Sequence, residues 1–120
     1  MGLSVARLVA LLLLGARAVG GAVLELTADN FADAVKTHDI VLVEFYSPTC
    51  PACLKLAPEY EKASESLAAL VAAAAAELGT AAATTAVLAK IDVPAHAQFA
   101  SQFRIENFPT LRLFRNGYEV

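Results

Sequence analysis

The chain contains two cysteines, Cys50 and Cys53, separated by Pro51 and Ala52 within the stretch VLVEFYSPTCPACLKLAPEY that runs from Val41 to Tyr60. A pair so spaced can do reversible sulfur chemistry, one thiolate attacking a disulfide and the other resolving the mixed disulfide that forms. The same spacing could equally hold a metal ion. The setting argues for redox chemistry. Val41-Leu42-Val43-Glu44-Phe45-Tyr46 is β-branched and aromatic and too apolar on both faces for an exposed strand, so it reads as a central one. Ser47-Pro48-Thr49 breaks that run, and from Cys50 onward Leu54, Leu56, Ala57 and Tyr60 begin a helical pattern. Cys50 therefore falls at the helix N-cap and Pro51 at the first helical position, where the missing proline N–H costs nothing. Unpaired N–H groups and the positive end of the helix dipole stabilise a thiolate there. Cys53, one turn further in, is expected to be the more buried sulfur. A zinc site would need His38 and His96 as well, and these show no ligand spacing to each other.

The elements that position this pair can be read on either side of it. Val23 to Leu26 reads as a short strand, with Thr27 or Asp29 as cap of a helix containing Phe31, Ala34 and Val35. His38 and Asp39 form a loop before the central strand, His38 on the solvated surface. Residues 63–89 hold thirteen alanines, including the unbroken run Ala72 to Ala76. Alanine is the best helix former, so the helix after the cysteines is expected to continue past Pro58 to Leu78, with Gly79 as its stop and Thr80 to Thr85 as a loop. Val87 to Val93 is another largely apolar strand, Pro94 to Phe103 a short helix with Phe99 and Phe103 facing inward and His96 exposed, and Leu111 to Phe114 a further strand before the hairpin signal Asn116-Gly117.

Glu44 and Lys90 are lone charges within strands that should both be buried. An unpaired buried charge is costly, so either the two pair, or each reaches an edge, or Glu44 is protonated.

Composition bounds the rest. At 120 residues and 58% hydrophobic content the chain makes one small domain. Residues 1–18 read as a secretory signal peptide: Arg7, seven apolar residues from Leu8 to Leu14, then Ala16-Arg17-Ala18, with cleavage after Ala18 or Gly20. Gly15 and Arg17 interrupt it too early for a membrane anchor. Its removal takes Arg7 and Arg17 from nine basic residues, leaving seven against twelve acidic ones. Such an acidic domain has no electrostatic reason to bind nucleic acid. In an oxidising compartment the only intrachain disulfide open to it is Cys50–Cys53.

Two stretches, SPTCPACLKLAPEYEK and FPTLRLFRNGYEV, together with VLELTADNF, VEFY and LAKIDV in this order, resemble a thioredoxin-like catalytic domain of the protein disulfide isomerase family. The resemblance covers most of residues 19–120, with an Ala-rich extension at about 63–86 that runs about ten residues beyond the family pattern. It implies an α/β thioredoxin-like fold, a central mixed sheet flanked by helices, and a redox-active Cys50–Cys53 disulfide working without cofactor or metal. It implies further that Glu44 and Lys90 lie together beneath the dithiol, Glu44 relaying a proton to Cys53. Pro109 would be a cis-proline and, with Phe108 and Thr110, would present backbone to an extended substrate. The implied partners are cysteine-containing proteins or peptides, with glutathione or an upstream oxidase as redox partner, in the endoplasmic reticulum lumen or secretory pathway.

Three departures stand out. Where the family reads Trp-Cys-Gly-His-Cys, this chain reads Thr49-Cys50-Pro51-Ala52-Cys53. Losing the histidine removes a positive neighbour that favours the Cys50 thiolate, which makes the disulfide less oxidising. Losing the tryptophan removes an apolar contact beside the site. The sequence also stops at Glu119-Val120 with no KDEL-type ending, where the family's domain continues into a final strand and helix, so a C-terminally incomplete and marginally stable domain is expected. A thioredoxin-like reductase, or a non-catalytic binding or chaperone-like module with a permanent disulfide, are the alternative functions.

Overall fold

The computed structural model describes residues 21–79 and 84–120; the leader, and residues 80–83 of the loop, lie outside them. Strands β1 (Leu24–Leu26), β2 (Ile40–Tyr46), β3 (Ala86–Asp92), β4 (Thr110–Arg115) and β5 (Tyr118–Glu119) form one sheet in the order β1-β3-β2-β4-β5. β3 pairs in parallel with both β1 and β2, whereas β2–β4 and β4–β5 are antiparallel, so the sheet is mixed. Helices α1 (Phe31–Thr37) and α2 (Pro51–Leu78) make the two crossovers that parallel pairing requires. A 3₁₀ turn at Pro94–His96 and the short helix α3 (Gln98–Gln102) lead to β4. The single helix expected over Pro94 to Phe103 is thus two pieces, and His96, expected to be exposed, is half-buried.

Alternation along β2 divides the core. Val41, Val43 and Phe45 point to one face and are fully buried with Ala89 and Ile91. α1 and α3 close that face with aromatic rings. Phe31 packs on Phe45, Phe99, Phe103 and Phe114 at centroid distances of 6.4, 4.9, 5.3 and 5.6 Å. Phe99 and Phe103 stack in parallel at 6.0 Å, and both face inward as their spacing predicts. Glu44 and the neighbouring Lys90 point to the other face, on which α2 lies with Tyr60 and Ser64 buried.

The long helix runs through Pro58 to Leu78, and Gly79 ends it at φ +82. Pro58 deprives only the Leu54 carbonyl of an intrahelical donor, and both residues are solvent-exposed, where water can serve instead. The first helix is capped differently from expectation: its N-cap is Asn30, not Thr27 or Asp29. The Asn30 amide oxygen turns back to accept from the Thr27 N–H at 2.7 Å, and its N–H donates to the Thr27 carbonyl at 3.3 Å. His38 is half-buried rather than solvated, its Nδ1 lying 2.9 Å from the Ala34 carbonyl at the end of α1.

After β4 the chain adds a short further strand to the sheet. Asn116 and Gly117, at φ +52 and +87, turn the chain so that Tyr118 and Glu119 pair with Arg115 and Phe114. The Val120 N–H extends this ladder to the Leu113 carbonyl, and Arg112 reaches Glu119 at 2.7 Å.

Candidate active site

The dithiol stands beyond the C-terminal end of β2, where a loop of four residues, Ser47 to Cys50, leads into α2. Buried Ser47 begins that loop, and its carbonyl accepts the Cys50 N–H at 3.1 Å. Cys50 is the N-cap and Pro51 opens the helix, as the sequence predicts. The Cys50 sulfur accepts the Cys53 N–H at 3.2 Å, so a free helix N–H points at the sulfur, where it favours negative charge.

Cys50 is partly exposed and Cys53 buried. Their environments push them apart. Hydrogen bonding from the Cys53 thiol, followed by the Cys53 and Ala52 N–H groups, holds the Cys50 thiol below its ordinary pKa. Burial, then that same thiol contact, raises Cys53 to about 11. The outer sulfur is therefore the more acidic and more accessible of the two, and the inner one holds its proton more tightly.

Phe108–Pro109 is a cis peptide, and it brings β4 up to the dithiol. The Phe108 carbonyl lies 3.6 Å from the Cys50 sulfur, close enough to accept from the thiol. Thr110 donates its hydroxyl to Asn107 and sits opposite Phe45 in the sheet. Phe108 and Leu54 leave apolar surface exposed.

Glu44 is 3% exposed, and its Oε2 has no hydrogen-bond partner. Burial, opposed by Lys90, raises its pKa above the ordinary carboxylate range. Lys90 stands beside it in the β2–β3 register, yet no ion pair joins them among the described residues. The Lys90 ammonium lies instead 5.4 Å over the centre of the Tyr46 ring. The sequence left three alternatives for these charges, and the structure shows a lysine turned over the Tyr46 ring and a carboxylate left without an ion pair among the described residues.

Two contributors were not anticipated from sequence. The Tyr60 hydroxyl lies 2.9 Å from both the Leu42 and the Ala89 carbonyls, tying α2 to the two central strands behind the dithiol. Tyr46 donates its hydroxyl to Glu25 at 2.9 Å. A β-strand periodicity marks Tyr46 only as lying on the Glu44 face, and says nothing of what its hydroxyl reaches.

A mixed sheet carrying a helix-capping C-x-x-C opposite a cis-proline defines a thioredoxin-fold dithiol protein. Residues 22–120 match the thioredoxin family model, and the chain belongs to that family. Among named proteins it is 42% identical to Protein disulfide isomerase-like 1-1 of Arabidopsis thaliana over 97 residues, 79% of this chain and 17% of that protein. It is 42% identical to human Protein disulfide-isomerase A4 over 94 residues, 78% of this chain and 13% of that one. The chain thus spans less than a fifth of the length of these relatives. Of solved structures, the zinc-bound form of human ERp44 superposes with a TM-score of 0.70 at 28% identity, covering 82% of this chain and 26% of that one. The first thioredoxin domain of mouse Protein disulfide-isomerase A4 superposes with a TM-score of 0.62 at 32% identity, covering 83% and 63%.

Proposed function

We propose that this domain is a thiol-disulfide oxidoreductase of the protein disulfide isomerase type, making or rearranging disulfides in secretory-pathway proteins. The observation that carries the reading is the opposed pair of sulfurs: a partly exposed Cys50 with lowered pKa on a helix N-terminus and a buried Cys53 raised to about 11. In the reducing direction the Cys50 thiolate attacks a substrate disulfide, forming a mixed disulfide and releasing one substrate thiolate. Cys53 passes its proton to Glu44 and attacks Cys50, releasing the second substrate thiolate and leaving the Cys50–Cys53 disulfide. Two electrons pass to the substrate. The reverse sequence oxidises a substrate dithiol, Glu44 returning the proton to Cys53 as it leaves. A carboxyl with a raised pKa is better suited than an ordinary one both to take and to return a proton. Phe108, Pro109 and Thr110 supply backbone to the substrate chain, and Lys90 tunes Glu44.

The substrates are cysteine-containing proteins or peptides, and glutathione or an upstream oxidase resets the dithiol. The leader pattern and the names of the relatives support the endoplasmic reticulum lumen or secretory pathway as its location. Pro51-Ala52, which carries no charge, favours a second reading, a thioredoxin-like reductase. Equilibrating the protein with glutathione separates the two. A potential near the secretory lumen's poise, roughly −180 to −210 mV, fits an oxidase or isomerase, and one well below it a reductase. A disulfide that persists throughout the glutathione range would make the domain a binding module.

A further inference from the structure

The proton relay proposed for Glu44 requires that its carboxyl stay unpaired, although a lysine stands beside it. Neighbouring charges arranged as Glu44 and Lys90 are would ordinarily collapse into an ion pair, which would lower the pKa of the acid. Something holds the ammonium elsewhere. The parallel register aligns Glu25 of β1, Lys90 of β3 and Glu44 of β2 in one row across the sheet. Lys90 therefore has a carboxylate on each side. On the β1 side the Tyr46 hydroxyl donates to Glu25 at 2.9 Å, and the ring so anchored carries the Lys90 ammonium 5.4 Å above its centre. Donation to a carboxylate enriches the phenol ring in electron density and strengthens its hold on a cation.

We propose that Glu25 is a positioning residue for the dithiol chemistry: through the Tyr46 hydroxyl it anchors the ring that retains Lys90, and so keeps Glu44 free to exchange protons with Cys53. Row and contacts run from an exposed carboxylate, through half-buried Tyr46 and Lys90, to a buried one. The direct influence of Glu25 on Glu44 has the same sign, its negative charge raising the Glu44 pKa. The other titratable groups around Glu44 are Cys50 at the N-cap of α2, Cys53 and Tyr60 of α2 and Tyr46 of its own strand, while β4 presents the apolar Leu111 opposite it. None of these is a cation. Among the described residues Lys90 alone can quench Glu44, and Glu25 with Tyr46 is what competes for it.

The inference rests on Glu44 being the relay, and the test separates the two ideas. The rate at which the Cys50–Cys53 disulfide oxidises a reduced dithiol peptide is followed from pH 5 to pH 9, alongside ¹³C titration of the Glu44 carboxyl. Glu44→Gln should remove its inflection and slow the reaction about a hundredfold. If it changes nothing, the relay is wrong and this inference falls with it. Given that inflection, Glu25→Gln should move the Glu44 titration to lower pH and slow the reaction at neutral pH about threefold to tenfold. Tyr46→Phe, which keeps the ring and removes the anchor, should act in the same direction to a smaller extent. With Lys90→Met in place, Glu25→Gln should lose most of its effect. An inflection that stays put in Glu25→Gln and Tyr46→Phe would overturn the proposal while leaving Glu44 as the relay. Glu25 is exposed on a sheet edge, so its substitution leaves the core intact.

Discussion

The two ends of β2 treat their polar groups in opposite ways. At the start of the strand, Asp39 accepts the Thr85 N–H at 2.7 Å and the Thr85 hydroxyl at 3.0 Å, while its own N–H donates to that hydroxyl at 2.9 Å. The Asp39 carbonyl takes the Asn116 N–H at 2.8 Å, so β2, β3 and β4 are tied at one corner. At the far end, Glu44 is buried without a partner for Oε2 and Cys50 uses its sulfur as a cap. The Thr85 hydrogen bonds lower the Asp39 pKa, whereas burial raises that of Glu44. Two carboxylates near the ends of one strand thus sit in opposite settings, one tied into the corner by hydrogen bonds and the other buried with an oxygen left unpartnered, as the proposed proton relay requires. A satisfied polar group adds stability, and an unsatisfied one costs stability but keeps its reactivity.

Removing a sulfur breaks the reactive end most completely. Cys50→Ser should abolish capture of substrate, whereas Cys53→Ala should leave substrates trapped on Cys50 as mixed disulfides visible on non-reducing gels. Release of substrate by Cys53→Ala would deny Cys53 its resolving role.

Glu44→Gln sharpens the contrast, since it should slow turnover while leaving capture on Cys50 intact. It should also change stability with a sign that identifies the group. The folded state holds the Glu44 proton to higher pH than the unfolded chain does. Wild-type stability should therefore fall as pH rises above the ordinary value of 4.5 and through the raised folded one. The variant lacks that decline, so urea midpoints at pH 5 and pH 8 should lie closer together in Glu44→Gln than in the wild type.

Tyr60→Phe tests the strut behind the dithiol. It leaves the Leu42 and Ala89 carbonyls without the hydroxyl, at a cost of about 1 kcal/mol in urea unfolding.

The smallest effect belongs to the satisfied corner. Asp39→Ala should lower stability modestly at neutral pH and leave the redox potential unchanged. Because its folded pKa is depressed, the contribution of Asp39 is present above its ordinary value of 3.8 and is lost as pH falls through the folded value. Wild type and variant should converge in acid unfolding, and a shift in potential would show that the two ends are coupled.

Much of the scaffold could be read directly because it depends on local rules. Cys50 at the cap, Pro51 at the first position and Gly79 at the stop follow from which residues tolerate helix ends. The apolar alternation of β2 and the Asn116-Gly117 turn are equally local. Asn30 as cap was missed because three capping residues in a row, Thr27, Asp29 and Asn30, compete for one helix start. The paired short pieces at Pro94–Gln102 were missed because the inward phenylalanines satisfy a helical spacing without a continuous helix.

Residue types, order and spacing thus determined by themselves that this chain folds as a thioredoxin-like α/β domain with a dithiol at a helix start, since strand periodicity and capping act over a few residues. Only the tertiary structure decided where the charges go. Glu25, Glu44 and Lys90 lie on three strands far apart in sequence, and parallel register alone sets them in one row. Whether Lys90 pairs with Glu44 or lies over Tyr46 is then a competition among distances, burial and ring orientation, quantities that exist only once the strands are side by side.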